Sequence, residues 1–155
     1  MAIPTVVIVP AACQPPSLYA PLTKGLEAHS IPTIVVPTPS VGASPGLKDF
    51  SEDVALIRST ISELISESKD SIVLMHSYGG LPGSAALKGL GKYTREGWQQ
   101  QNGVVRLLYV CSFALREEEQ IPDAGNIERL RKYANEGLDE EVCLHGPTAL
   151  IFENM

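Results

Sequence analysis

The chain predicts an α/β fold, a doubly wound parallel sheet of about four strands. Three observations carry that expectation. Short β-branched runs alternate with longer stretches of helical periodicity. The runs are apolar at nearly every position, as strands covered on both faces are. Gly or Pro also marks most junctions between runs. Strand, helix and strand in that alternation call for right-handed crossovers that lay helices on both faces of the sheet.

The first strand is Thr5-Val-Val-Ile-Val9, held between Pro4 and Pro10. Ser17 stands where a helix would be capped. Behind it Leu18, Leu22 and Leu26 recur every fourth residue, giving one apolar face as far as His29. Ile31 to Val36 is a second β-branched run, stopped by Pro37-Thr-Pro39. A Pro/Gly-rich loop over 37–46 leads to Asp49 and Glu52, which have the spacing of a capping box. Phe50, Val54, Ile57, Ile61 and Leu64 then step by fours and threes along one face of a helix that ends near Lys69. Ser71 to Met75 is the third strand. Gly79 to Leu90 is a helix of small residues, and Pro82 falls in its first turn, where a missing N–H is tolerated. Residues 91–103 are polar and read as a surface insertion, and Val104 to Cys111 is the fourth strand.

The character changes after Ser112. The core is expected over 1–115 and a cap segment begins over 116–155. That segment carries the acidic runs 117–119 and 139–141, which read as solvated faces, a helix around Ile127 to Ala134, and an apolar stretch from Val142 to Phe152.

Composition narrows the function. Of the 155 residues, 44% are hydrophobic and 19% charged, the balance of an ordinary globular domain. A net charge of −6 argues against a nucleic-acid partner, which needs a concentrated basic surface. No apolar run approaches the ~20 residues that cross a bilayer. The run Val6 to Val9 has no positive charge before it and is too short for a signal core, so a cytoplasmic protein is expected. Cys13, Cys111 and Cys143 form no CxxC and no metal-ligand spacing. They read as reduced thiols acting as small buried hydrophobes. Neither G-x-G-x-x-G nor a P-loop lysine follows any strand, and no metal or cofactor is expected.

The stretch that carries chemistry is L-M-H-S-Y-G-G-L-P-G-S, residues 74–84. Ser77 lies at the carboxyl end of a strand and just before a helix, where parallel α/β sheets bind ligands. A nucleophile elbow needs this context: a sharp strand-to-helix turn exposes the hydroxyl, and the free N–H groups of the helix start face a developing oxyanion. Gly79, supported by Gly80, satisfies the small-residue rule downstream, whereas Met75 stands where G-x-S-x-G has its first glycine. A second oxyanion donor belongs in the loop after a neighbouring strand. The loop P-A-A-C-Q-P-P, residues 10–16, is in that position, and Ala12 and Tyr78 N–H groups form the natural pair. The alternative is a plain strand-ending turn beside a proline-rich one.

At these residues the chain resembles the α/β-hydrolase superfamily. The likeness rests on V-I-V-P-A-A at 7–12, a helix containing Y-A-P-L, S-V-G at 40–42, M-H-S-Y-G-G-L-P-G-S at 75–84 and V-V-R-L-L-Y-V-C-S-F-A-L at 104–115. It is similar to the small esterase-like branch that includes plant methylesterases, hydroxynitrile lyases and fungal hydrolases, where a non-Gly residue two before the serine is also seen. The resemblance implies the N-terminal part of that fold, with Ser77 as nucleophile, Ala12 and Tyr78 N–H groups as oxyanion hole, and a cap from about residue 116.

A serine needs a base, and the base needs an orienting acid. In this superfamily they follow the serine on later strands, and the chain ends before any such strand. His76 adjoins Ser77, and neighbours on a strand end point to opposite faces. His29 suits the end of the first helix. His145, in C-L-H-G-P, is the remaining base candidate. The expected function is a serine-hydrolase-like protein acting on a small-molecule ester, amide or lactone, with its acid and base absent from this chain. The alternatives are an inactive fragment or pseudo-enzyme with a binding role, and a lyase or cyclase of the same fold. The very apolar fourth strand would lie at a sheet edge, which predicts self-association or a completing chain.

Overall fold

The computed structural model describes residues 3–93 and 100–114. In chain order these form β1 (Thr5–Val9), α1 (Ala20–Ala28), β2 (Thr33–Val35), α2 (Ser51–Ser66), β3 (Ser71–His76), α3 (Gly80–Ala86) and β4 (Val104–Val110). Short 3-10 turns over Pro16–Tyr19 and Ser77–Gly79 lead into α1 and α3. All strand pairs are parallel and the order is β2-β1-β3-β4. The expected four-stranded parallel sheet is therefore present. It belongs to a compact unit that ends at Phe113; the cap expected over 116–155 lies outside the described residues.

Alternation along β1 divides the core. Val7 and Val9 point to one face and pack with Val36, Val73, Met75 and the α2 residues Ile57, Ile61 and Leu64. Val6 and Ile8 point to the other, with Tyr19 and, at its margin, Leu26 of α1. All five residues of β1 are buried, which explains its unbroken apolar run. Both long helices end on serines with left-handed backbones, Ser30 and Ser68. The hydrogen bonds Ile31 N–H to Leu26 O and Lys69 N–H to Leu64 O close these ends as Schellman motifs.

Several local expectations are corrected. Ser17 caps nothing, because a 3-10 turn with no side-chain cap occupies its place. The predicted Leu18/Leu22/Leu26 face is not the buried one: Leu18 is 60% exposed and Leu22 40%, and the preceding turn inserts Tyr19 instead. The phenol wins that position because its hydroxyl finds polar partners inside. Asp49 and Glu52 form no capping box: Asp49 Oδ1 accepts the Ser51 N–H at 2.9 Å, two residues on, and α2 starts only at Ser51. The helix after Ser77 is shorter than expected, ending at Ala86. Cys13 and Cys111 are exposed rather than buried. Each has a left-handed backbone, with φ of 60° and 44°, in the bends that leave β1 and β4. Cys143 lies outside the described residues.

Candidate active site

From β1 the chain crosses to β2 on one side, and β3 then pairs on the other side of β1. The carboxyl ends of β1 and β3 thus flank a topological switch point, the position at which open parallel sheets bind their ligands. Ser77 is the first residue beyond β3. Its φ is +50°, a left-handed conformation that costs a non-glycine residue on the order of 1–2 kcal/mol. Two donors from the chain leaving β4 hold it there: Ser112 Oγ–H donates to the Ser77 carbonyl at 2.7 Å and Phe113 N–H at 3.3 Å. Ser77 is half-buried, and among the described residues its Oγ has no hydrogen-bond partner.

The two glycines behind the serine are fixed by contact. A Cβ on Gly79 would stand 2.6 Å from the Val9 carbonyl oxygen and 2.7 Å from that of Pro10. A Cβ on Gly80 would overlap the Phe113 carbonyl oxygen and Ser112 Oγ. The turn is thereby wedged between the ends of β1 and β4. Met75 is fully buried beneath it. A Cβ on Gly83 would come within 2.7 Å of Met75 Sδ, so the space that a strand glycine would leave is supplied by a glycine on the facing helix.

In the loop after β1, Ala12 is exposed and its N–H has no acceptor among the described residues. The preceding Ala11 N–H donates to the Tyr19 hydroxyl at 2.9 Å. That hydroxyl donates to Gln14 Oε1 at 2.7 Å and lies 2.8 Å from His76 Nδ1. A phenol has one proton and two lone pairs. With its proton on Gln14 and one lone pair on Ala11 N–H, the remaining lone pair takes a His76 Nδ1–H. His76 is thus held on the α1 side of the sheet, packed edge-on against the Tyr19 ring. His29 is the C-cap of α1, and its Nδ1–H donates to the Gly25 carbonyl at 2.9 Å. His145 lies outside the described residues. Among those residues no group of three His, Cys, Asp or Glu is placed to hold a metal ion.

On the α2 side stands a residue the sequence did not single out. Asp53, in the first turn of α2, is fully buried. Its Oδ1 accepts the Ser40 N–H at 2.9 Å, and its Oδ2 accepts Ser40 Oγ–H at 2.6 Å and the Tyr78 phenol at 2.7 Å. Burial, and next the bond to Asp53, push the Tyr78 phenol up to about 12. The available signal was slight: an acidic residue in a helical first turn is ordinary, and only its i+4 neighbour Ile57 marks its face as the buried one.

Comparison with known proteins agrees with this architecture. A family model described as the alpha/beta hydrolase family matches residues 6–150. The chain is 30% identical over 138 residues to a protein called alpha/beta hydrolase nvfD from Aspergillus novofumigatus, covering 89% of this chain and 54% of that one. It is 26% identical over 123 residues to a probable hydrolase R7 from Phoma sp., covering 78% and 47%. The chain spans about half the length of the curated relatives it matches.

Proposed function

Because the chain belongs to the alpha/beta hydrolase family, we propose that Ser77 is the nucleophile of a hydrolase acting on a small ester, amide or lactone. The observation that carries this reading is the left-handed Ser77 backbone at the end of β3, beside the switch point. In the reaction Ser77 Oγ forms a bond to the substrate carbonyl carbon. Its proton passes to a base, and the carbonyl oxygen becomes an oxyanion facing the Ala12 and Tyr78 N–H groups. Collapse of that intermediate breaks the bond to the leaving alcohol or amine, which takes the proton from the base. Water then releases the acyl group by the same steps in reverse.

A second reading, an inactive fragment or pseudo-enzyme with a binding or interaction role, is favoured by one observation. Among the described residues no histidine is hydrogen-bonded to Ser77, while His29 is engaged at the end of α1 and His76 by Tyr19. A fluorophosphonate probe separates the two. Labelling that disappears in Ser77→Ala is the expected result; a folded, monodisperse chain that takes up no probe overturns the hydrolase reading.

A further inference from the structure

The cluster formed by Asp53, Ser40 and Tyr78 joins three separate pieces of chain: the loop after β2, the first turn of α2 and the elbow itself. A buried carboxylate with one missing donor would be costly, so the three donors hold one another in place. Tyr78 is the residue directly after Ser77. Its side chain runs to a fixed anchor in α2, a sixteen-residue helix whose start favours a negative group. On the opposite flank the Ser77 carbonyl is tied to Ser112 and Phe113. The Ser77–Tyr78 peptide, whose N–H is the proposed oxyanion donor, is therefore held at two points, by the Ser112 hydroxyl and Phe113 N–H at its carbonyl and by the Asp53 carboxylate through the Tyr78 side chain.

We propose that Asp53 is a positioning residue which, through the Tyr78 phenol, fixes the backbone N–H of Tyr78 toward the oxyanion. This rests on the reading of Ser77 as nucleophile. A packing role alone would lower the amount of folded chain and leave each folded molecule equally reactive. Positioning acts on the rate of the covalent step, which is sensitive to small displacements of the reacting groups.

The test is the phosphonylation of Ser77 by a fluorophosphonate, with the maximal rate and the half-saturating probe concentration measured separately on folded protein. Tyr78→Phe keeps the ring and removes the one donor. It is expected to lower the maximal rate about tenfold, with half-saturation little changed. Ser40→Ala leaves the Ser40 N–H and the Tyr78 phenol on the carboxylate and is expected to cost far less. Asp53→Asn keeps one acceptor oxygen and is expected to lower the maximal rate by less than Tyr78→Phe, and combining the two should add little. If Asp53→Asn does not fold, the Tyr78→Phe and Ser40→Ala pair still decides the matter. Equal maximal rates for wild type and Tyr78→Phe overturn the positioning role and leave the nucleophile intact. If folded wild type takes no label, the nucleophile reading fails, and amide hydrogen exchange decides the anchor by itself. Faster exchange at Tyr78 and Gly79 in Tyr78→Phe supports it, and unchanged exchange overturns it.

Discussion

Met75 and Gly83 share one space: the methionine sulfur lies where a side chain at position 83 would begin, 2.7 Å from the place of its Cβ. The strand residue is large because the helix residue is absent in all but backbone. Gly83→Ala alone is expected to destabilise by about 1–3 kcal/mol through overpacking. Met75→Ala alone should cost about 2–5 kcal/mol through the cavity it leaves. Together they should cost clearly less than the sum, which urea denaturation of the four proteins would show; strict additivity would refute the shared space.

Gly79 differs, because its neighbours are backbone oxygens of Val9 and Pro10 that cannot turn aside. Gly79→Ala is expected to lose at least about 2–3 kcal/mol or fail to fold. Gly25 of α1 is the internal control, since nothing lies within 4 Å of a Cβ placed there. Gly25→Ala should gain about 0.5–1 kcal/mol in the same denaturation experiment.

The left-handed backbone of Ser77 is a cost that glycine would not carry. Ser77→Gly is expected to raise the melting temperature, with a gain of up to about 1 kcal/mol, while it removes the hydroxyl. Calorimetry showing a less stable Ser77→Gly protein would mean that the turn is unstrained.

Tyr78 links stability to alkaline pH. Its phenol ionises near 10.0 ordinarily and at about 12 in the fold, because burial and the Asp53 bond favour the neutral form. The stabilisation is thus complete below pH 10 and is lost as pH rises through about 12. Wild type should lose stability over that window more steeply than Tyr78→Phe, as denaturation midpoints at stepped pH would record.

β4 is the last strand of the described sheet, and Leu107, Leu108 and Val110 on it are each at least 40% exposed. Such an edge invites pairing with another chain. Leu107→Lys and Leu108→Lys are expected to raise the concentration at which the chain stays monodisperse by light scattering, with little change in its circular dichroism.

The sheet was legible because β1 is buried on both faces and β3 is buried on one and half-buried on the other, so each carries a nearly continuous apolar run. The tight strand-to-helix turn was legible because Ser77, Gly79 and Gly80 are neighbours in sequence. What escaped depends on contacts between distant residues. Gly83 compensates Met75 only through the packing of α3 on β3, and Asp53 resembles any first-turn acid until Ser40 and Tyr78 are seen around it. Tyr19 displaced the leucine face because its hydroxyl meets Gln14, His76 and Ala11, which no periodicity encodes. The cysteines misled because an apolar run predicts burial along a strand, whereas both lie in the bends just beyond one.

The two bonds from Ser112 and Phe113 to the Ser77 carbonyl span 35 residues and more of chain. The serine's shape is therefore delivered by a segment that leaves the ribosome well after the serine does. Until β4 docks, residues 77–80 are free to relax into an ordinary turn, and closing so long a loop comes late and slowly. A nascent chain would carry Ser77 without its left-handed bend, and would acquire that shape only once the sheet is four strands wide.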